Sequence, residues 1–587
     1  MRGIASLSVP IQGPSPGRAF GFVGLGLMAT GAGVISLVLS TGTSLAGGGG
    51  GLAPLSSVAV PLPTGGQIVN QRAAVQLGKA LFWDVQVGGD GRQACASCHY
   101  FAGEDTRMID TVSPGPDGVF ASEGVTGPGQ AIARVSGITN DDRLGSAGVV
   151  AATFVGVDPN PANAADICNV TGDPVYGANR QVTGRKAPAV VNAVYNRDNF
   201  WDGRANHNFN GFNPFGNTGN NADGNLVSMT NSSLASQADG PPNNSVEMSC
   251  AHRAFNGANS LGAKMLARQP LQFQQVSPND SVLGSLANTA GSGLNTTYGK
   301  LIQAAFGVSD PAIQLNQFSS FWGQAVQAYE STLISDQTPL DRYLAGNRSA
   351  LTSNQVNGLG IFQGKAKCAV CHAGAELTDA SVSFYARNGA LNHDGGDQGF
   401  HNDGVRPTGE DLGRANTGPN GVAWSVSGSR FDRGAFKTPG LRNVGLLRSY
   451  MHNGGLATLT DVVNFYNRGG DFANPEKSRD MRPLGLSPSE VGALVDFLQN
   501  GLTDCRVAKE QAPFDHPALP LNNGADRPAT GGNSPCSCVR RGGFINHSPW
   551  RSASAWAWAW SPVTRRSSPP PPRPSRWPPA RRPRTAG

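Results

Sequence analysis

The sequence has few charged residues: aspartate, glutamate, lysine and arginine make up 15% of its 587 residues. That share is low for an ordinary cytosolic enzyme of this length, because charged residues usually supply about a quarter of a chain. Charge is missing altogether from residues 19–40, an apolar run that follows Arg2 and Arg18 and precedes the Ser-Leu-Ala segment at 44–46. This order is typical of export signals. Residues 1–54 are therefore predicted to be an export signal or a membrane anchor with a glycine-rich linker, and the protein to be periplasmic or otherwise exported.

Acidic residues are absent from residue 530 onward, where the chain has ten arginines, many prolines and five of its nine tryptophans. Removing those arginines from the formal net charge of +6 leaves −4 for the rest of the chain. The body of the protein is therefore not basic, and no nucleic-acid partner is predicted. Residues 523–587 show neither helical nor strand periodicity, so they are predicted to be a disordered tail rich in arginine, proline and tryptophan.

What the sequence does contain is a Cys-x-x-Cys-His motif that occurs at 95–99 and again, about 270 residues later, at 368–372. The two cysteines of such a motif can form thioether bonds to the vinyl groups of a haem, and the histidine can bind the iron. Zinc sites usually have closer cysteine pairs, and a redox dithiol has no use for the histidine. The motifs therefore predict two covalently bound haem c groups. The attachment residues are Cys95, Cys98, His99, Cys368, Cys371 and His372.

Glycine and proline are both frequent, with 78 and 41 residues. This composition predicts short helices joined by long ordered loops. Apolar periodicity places one short helix ahead of each motif, at 73–83 and at 355–364. A third helix is predicted at 488–500, where Ser487 and Glu490 have the spacing of a capping box. The chain therefore has two similar halves, each with a helix and a haem motif.

Around these motifs the sequence resembles the bacterial di-haem cytochrome c peroxidase and MauG family, over about residues 60–505. The segments that carry the resemblance are LGKALFWD at 77–84, KAPAVVNAVYNRDNFWDGR at 186–204, YESTLISDQTPLDRYLAG at 329–346 and FKTPGLRNVGLLRSYMHNGGLATLTDVVNFYNRGG at 436–470. The resemblance implies a mainly α, loop-rich fold with long insertions. It implies two cytochrome-c-like haem domains that face each other, an N-terminal peroxidatic domain at 55–272 and a C-terminal electron-transfer domain at 273–522.

The resemblance also implies a division of labour between the two haems. Hydrogen peroxide is expected to react at the His99 haem, and electrons to enter at the His372 haem from a small exported cytochrome or copper protein. A second reading is a MauG-like or rubber-oxygenase-like oxidase of an organic or protein substrate. The surface tryptophan through which the family oxidises a partner protein is Ala366 here, which argues against the same substrate. A third reading is a non-catalytic di-haem electron carrier, which has no need of a distal proton shuttle.

The residues expected to handle peroxide lie in SQADGPPNNSVEM at 236–248. By resemblance, Glu247 is the acid–base group, Gln237 orients peroxide, and Pro241 completes the motif. The chain inserts about 25 residues ahead of this segment, so a polar surface loop is the alternative interpretation. Trp201 is expected to carry electrons between the haems, and packing in the core is its alternative role.

The iron ligands opposite the two histidines are predicted to differ. In members of this family that need prior reduction, a histidine in the loop after the first motif blocks the iron. No histidine occurs between His99 and His207 here, and Met108 in that stretch is expected to pack or to be exposed. The resemblance therefore implies an open position at the first haem. The resemblance implies Tyr466 as the iron ligand of the second haem, with Met451 as the alternative. A thioether raises the reduction potential of a haem, whereas a phenolate favours the higher oxidation states of iron.

The resemblance further implies a calcium ion between the domains, bound by an asparagine and by two main-chain carbonyls. The asparagine position is Lys186 here, and the carbonyls would be those of Leu447 and Ser449. An ammonium group in place of the amide could substitute for the ion, so calcium stays uncertain.

The five cysteines outside the haem motifs can form disulfides if the protein is exported. They are Cys168, Cys250, Cys505, Cys536 and Cys538. The first two both lie in loop-rich insertions of the first half and are a candidate pair, although spacing alone does not define the pairing.

Overall fold

The structure is a computed structural model that describes residues 51–132, 140–216, 225–419 and 421–532. This part of the chain is mainly helical and rich in loops, as the sequence predicts. Its α-helices are α1 (Gln71–Trp83), α2 (Ala96–His99), α3 (Ser233–Ala238), α4 (Leu261–Leu266), α5 (Tyr298–Phe306), α6 (Pro311–Asn316), α7 (Phe318–Glu330), α8 (Pro339–Leu344), α9 (Ser353–Gln363), α10 (Val382–Asn388), α11 (Leu459–Arg468), α12 (Pro488–Asp496) and α13 (Cys505–Ala508).

The strands of the described residues are short and form four two-stranded antiparallel sheets, β1 with β2, β3 with β6, β4 with β5 and β7 with β8. They are β1 (Val112–Ser113), β2 (Arg143–Leu144), β3 (Ala147–Val150), β4 (Ala152–Gly156), β5 (Ile167–Val170), β6 (Arg180–Val182), β7 (Phe400–His401) and β8 (Phe436–Lys437). Six of the eight belong to the insertions of the first half. The helices therefore form the framework, and the strands shape the loops around it.

The three helices predicted from periodicity are present with shifted ends. The structure has α1 at Gln71–Trp83 and α9 at Ser353–Gln363. The third, α12, begins at Pro488 with the predicted capping box and continues into one π-helical turn, Phe497–Gly501. Caps explain the earlier starts, because Asn70 and Thr352 accept hydrogen bonds from main-chain N–H groups of the first turns of α1 and α9.

Each half contains one close helix crossing that depends on glycine. A Cβ atom at Gly78 of α1 would lie 1.8 Å from the carbonyl oxygen of Ala325 in α7, and one at Gly358 of α9 would lie 2.2 Å from that of Ala493 in α12. No side chain fits at these distances. The helix ahead of each haem motif is therefore held against its partner helix in the same way.

A second repeat joins the two halves. Lys186 and Lys437 each begin a segment that reaches an asparagine six residues later, Asn192 and Asn443, with left-handed backbone φ values of 61° and 68°. Both asparagines bond to Ser335: the Nδ2 group of Asn192 donates to its carbonyl at 3.2 Å, and that of Asn443 to its hydroxyl at 3.0 Å. The two repeats therefore meet at one point of the chain.

The first apolar core includes residues on both sides of position 272. It contains α1, α5 and α7 and includes residues up to Leu333. The indole N–H of Trp83 donates to the hydroxyl of Tyr329 at 2.9 Å across α1 and α7. The predicted domain boundary at 272/273 stays a prediction. The second core begins at Leu340 and is built from α8, α9, α11 and α12.

After α13 the chain returns to the first core. Leu519 and Leu521 pack into that core, and the ring of His516 stacks on Trp83 with centroids 4.5 Å apart. The ammonium of Lys79 is buried between Asp280, at 2.8 Å, and Asp515, at 3.4 Å. Residues 523–532, which the sequence assigned to the tail, also make contacts here, because their main chain bonds to 516, 519 and 279. The rest of the predicted tail lies outside the described residues.

The candidate disulfide between Cys168 and Cys250 is present, with an S–S distance of 2.04 Å. It ties β5 to the segment that follows Met248 and so holds the insertions of the first half together. None of the helices in the described ranges is long and apolar enough to cross a membrane. The apolar run at 19–40 lies outside those ranges, so the predicted signal or anchor stays a prediction.

Candidate haem sites

The first Cys-x-x-Cys-His motif lines a cavity of about 550 Å³. The single turn α2 brings Cys95, Cys98 and His99 to this wall, and both cysteines are free thiols. His99 Nδ1 lies 3.0 Å from the carbonyl oxygen of Gly103. A proton on Nδ1 satisfies that carbonyl and leaves Nε2 as the ligand atom. Burial lowers the pKa of His99, which favours the neutral, metal-binding form.

The second motif repeats this arrangement at a second cavity. Cys368 and Cys371 are free thiols on its wall, and His372 Nδ1 lies 3.1 Å from the carbonyl oxygen of Pro439 and 3.3 Å from that of Leu377. Burial lowers the pKa of this histidine too. Two open cavities, each with a thiol pair and an oriented imidazole, fit covalent haem c at both places.

The thiol of Cys371 also lies close to Asp379 and His401, with candidate ligand atoms within 4.8 Å of one another. Nε2 of His401 and Oδ2 of Asp379 are 2.8 Å apart, so these two atoms are hydrogen-bonded to each other. Because Cys371 belongs to the haem motif, the cluster is part of the second haem site and not a separate metal site.

The three predicted peroxide-handling residues come together on the wall of the first cavity. Gln237 lies in the last turn of α3, Pro241 begins a 3-10 turn, and Glu247 follows that turn. Burial raises the pKa of Glu247, and the nearby Arg204 guanidinium opposes that shift. A carboxyl group of this kind can hold and release a proton closer to neutral pH than an exposed one.

Trp201 lies between the two cavities and lines both. Its indole N–H donates to the carbonyl of Lys186 at 2.8 Å, and its own carbonyl accepts from the N–H of Lys437 at 2.7 Å. The first bond fixes the indole ring, and the second ties the main chain of Trp201 to the second half of the chain. The position is the one that a bridge between two haems requires.

Tyr466 and Met451 both line the second cavity, so the choice between them as iron ligand stays open. Four residues of one face of α11 line this cavity, namely Leu459, Val462, Val463 and Tyr466. The Tyr466 hydroxyl donates to Oδ2 of Asp403 at 2.9 Å. Burial and the neighbouring Asp403 raise the pKa of Tyr466 well above its ordinary value.

The loop after the first motif places its only methionine away from the haem site. Met108 packs against a small cluster of Val112, Val125, Ile132 and Leu144. This packing agrees with the expectation from sequence. An open position at the first haem stays a prediction that spectra can check.

Two residues on the wall of the first cavity were missed by the sequence reasoning. Glu330 is the last residue of α7, in a segment whose other side chains are buried. A glutamate at the end of an apolar helix is a sequence signal that could have identified this residue as a candidate for the site. Trp424 belongs to a loop of the second half that closes over this cavity, and the Arg204 guanidinium lies 6.0 Å from its ring. Nothing in the local sequence around Trp424 signals that contact.

Glu330 should make the stability of the protein pH-dependent. Burial raises its pKa from 4.5 to about 8. The folded state therefore holds this proton more tightly than the unfolded chain, and the free energy of unfolding should fall as the pH rises from about 5 to 8. In Glu330→Gln this part of the decrease should disappear. Denaturant unfolding of the holoprotein at pH 5.5 and pH 8, followed by haem absorbance, measures it. Equal pH dependence in both proteins would contradict the assignment.

A protein-family model described as di-haem cytochrome c peroxidase matches residues 72–349. The methylamine utilization protein MauG of Methylorubrum extorquens is 33% identical over 223 residues, which cover 38% of this chain and 52% of that protein. Cytochrome-c peroxidase IdrP2 of Denitromonas iodatirespirans is 37% identical over 193 residues, 30% of this chain and 46% of that protein. Cytochrome c551 peroxidase of Nitrosomonas europaea is 23% identical over 433 residues, 71% of this chain and 96% of that protein. The chain spans about half the length of the first two relatives.

Proposed function

Because the chain belongs to the di-haem cytochrome c peroxidase and MauG family, we propose that it reduces hydrogen peroxide at the His99 haem. Electrons enter at the His372 haem from a small exported cytochrome or copper protein. One observation carries the proposal: Gln237, Pro241 and Glu247 line the same cavity as the first haem motif. A plain electron carrier has no use for a buried carboxyl group at an open cavity.

Reduction of hydrogen peroxide to two water molecules consumes two electrons and two protons. When bound, the haem supplies an iron that binds peroxide and delivers electrons to it. Glu247 accepts the proton of one peroxide oxygen and returns it to the other, which becomes the leaving water. The amide of Gln237 orients peroxide by hydrogen bonding, and its position on the same wall allows both groups to reach one small substrate.

Trp201 carries electrons from the second haem to the first. Its ring lines both cavities, and its hydrogen bonds to Lys186 and from Lys437 restrict its motion. A fixed aromatic ring between donor and acceptor shortens each electron-transfer step. The role requires no change of side-chain position during turnover.

The protein is proposed to work outside the cytoplasm. The disulfide between Cys168 and Cys250 supports this location, because structural disulfides persist in oxidising compartments. Attachment of haem c at two motifs is consistent with the same location.

The function is tested by mixing the purified di-haem protein with peroxide and a reduced small c-type cytochrome or cupredoxin. We expect steady oxidation of the donor, two equivalents for each peroxide consumed, and a high-spin signal from the first haem before peroxide is added. Donor oxidation that is independent of peroxide would indicate an electron carrier. Peroxide consumption only in the presence of an organic substrate would indicate the oxidase reading.

Tyr466→Phe should change the spectrum and the reduction potential of the second haem. If the phenolate binds that iron, its loss removes a hard anionic ligand, and Tyr466→Met should raise the potential. Redox titration and EPR of the diferric protein measure both effects. Met451→Ala is the matched comparison, because Met451 lines the same cavity. A high-spin second haem in Met451→Ala, with an unchanged spectrum in Tyr466→Phe, would assign the methionine as ligand instead.

A further inference from the structure

A buried ion pair stands between the two haem cavities. The ammonium of Lys186 donates to Oε1 of Glu104, and both residues are buried, at 8% and 3% exposure. Lys186 lines both cavities. Removing two charges from water is costly unless they are closely paired. The pair is therefore a fixed feature of the interface between the halves and not a mobile surface contact.

The main chain of Lys186 links this pair to both halves. Its N–H donates to the carbonyl of His452 at 2.9 Å, and its carbonyl accepts the indole N–H of Trp201 at 2.8 Å. Glu104 follows Gly103, whose carbonyl orients His99. One lysine thus connects the loop behind the first haem, the tryptophan between the haems and a loop of the second half.

The same place does not fit the calcium ion that the resemblance implies. Calcium takes six to eight oxygen ligands, but here an ammonium group occupies the asparagine position. The Tyr450 hydroxyl lies 2.9 Å from the carbonyl oxygen of Val444 and 3.4 Å from that of Leu447, one of the two expected ligands. A second cation beside the ammonium would also be repelled.

We propose that the Lys186–Glu104 ion pair replaces the divalent cation at this interface and positions Trp201 for electron transfer between the haems. Lys186 is a positioning residue, because it acts through Trp201 and touches neither reacting oxygen. The part that concerns Trp201 rests on the proposed function. The part that concerns the cation does not, because it is read out by metal content alone.

The first test is the metal content of the holoprotein. We expect no stoichiometric calcium by elemental analysis, and an unchanged melting temperature and haem spectrum after treatment with a chelator. Titration calorimetry with calcium chloride should show binding to Lys186→Asn, which restores the amide, and none to the unaltered protein. Stoichiometric calcium in the unaltered protein, or a spectrum that a chelator changes and calcium restores, would overturn the replacement.

The second test is the rate of electron transfer between the haems in Lys186→Met. Burial raises the pKa of Glu104 and the ammonium of Lys186 opposes this shift, so removing the ammonium favours the neutral form of Glu104. The loss of the pair should lower the interhaem rate about tenfold or more and alter the fluorescence of Trp201. Stopped-flow absorbance of the His372 haem after one equivalent of peroxide measures the rate.

Lys79→Met is the matched control for this variant. Lys79 is another fully buried lysine with carboxylate partners, but it lies in the first core and lines neither haem cavity. The Lys79→Met variant should be less stable than the unaltered protein, while its rate of electron transfer between the haems stays within about twofold. An unchanged rate in Lys186→Met, or an equal decrease in both variants, would show that the pair has no positioning role. If peroxide is not reduced at all, the proposed function fails while the metal measurements still decide the cation question.

Discussion

Replacing Cys95 and Cys98 with alanine should remove one of the two haems and abolish peroxide turnover. The same change at Cys368 and Cys371 should also remove one haem, yet leave a protein that reacts with peroxide once. The difference follows from the walls of the two cavities. Gln237 and Glu247, the proposed proton shuttle, lie with the first motif, whereas the second cavity contains the two candidate axial ligands, Tyr466 and Met451.

Mass spectrometry of the exported protein gives the number of covalent haems in each variant. Stopped-flow absorbance with one equivalent of peroxide then gives the single-turnover reaction. If Cys95→Ala with Cys98→Ala is not recovered, Cys95→Ala alone keeps one thioether bond and should shift the spectrum of the first haem only. Recovery of zinc in place of haem would contradict haem attachment. A reaction with peroxide in the variant that lacks Cys95 and Cys98, but not in the variant that lacks Cys368 and Cys371, would contradict the assignment of the two sites.

The parts of the fold that the sequence predicts are those with local causes. The helices ahead of each motif have apolar periodicity, and α12 starts at Pro488 because the capping box is a contact between residues three positions apart. The haem motifs are equally local, since one short turn brings all three groups to a cavity wall. The pair of Gln237 and Glu247 also falls within one short segment, so its spacing survives the insertion before it.

The parts that the sequence does not predict depend on contacts between distant segments. The return of the chain at Leu519 joins the first core through packing across more than 400 residues, and no periodic pattern marks it. The packing of α7 against α1, rather than against the second core, is also a contact between distant segments that the sequence does not predict. The side chain of Trp424 reaches the first cavity only because a loop of the other half folds over it.

The charged residues at the haem sites also divide into those that a local motif predicts and those that depend on contacts between distant segments. Glu247 was found from its place in a motif, but the Arg204 guanidinium that opposes its raised pKa is known only from the structure. Glu330 carries no motif, and its raised pKa follows from burial at the end of α7. Both carboxyl groups line one cavity, so protons can be held at two places around the first haem.

Glu247→Gln should lower peroxide turnover about a hundredfold or more while both haems stay attached, because positioned proton transfer contributes about 10²-fold to 10⁴-fold to such reactions. The amide keeps the size of the side chain but can neither accept nor return a proton. Because burial raises the pKa of Glu247, the rate of the unaltered enzyme should fall as the pH drops through that raised pKa, and this limb should be absent from the variant. Steady-state rates from pH 4.5 to 8 measure both effects.

Glu410→Gln is the matched control for Glu247→Gln. Its carboxylate lies on the wall of the same cavity but is held by two hydrogen bonds from the guanidinium of Arg406, at 2.8 and 2.9 Å. A carboxylate fixed in this way does not shuttle protons, so the rate should change less than about twofold. An unchanged rate in Glu247→Gln would place the proton shuttle elsewhere, and Glu330 would then be the next carboxyl group to replace because it lines the same cavity. Equal losses in Glu410→Gln and Glu247→Gln would mean that the charge of the cavity, and not proton transfer by one residue, sets the rate.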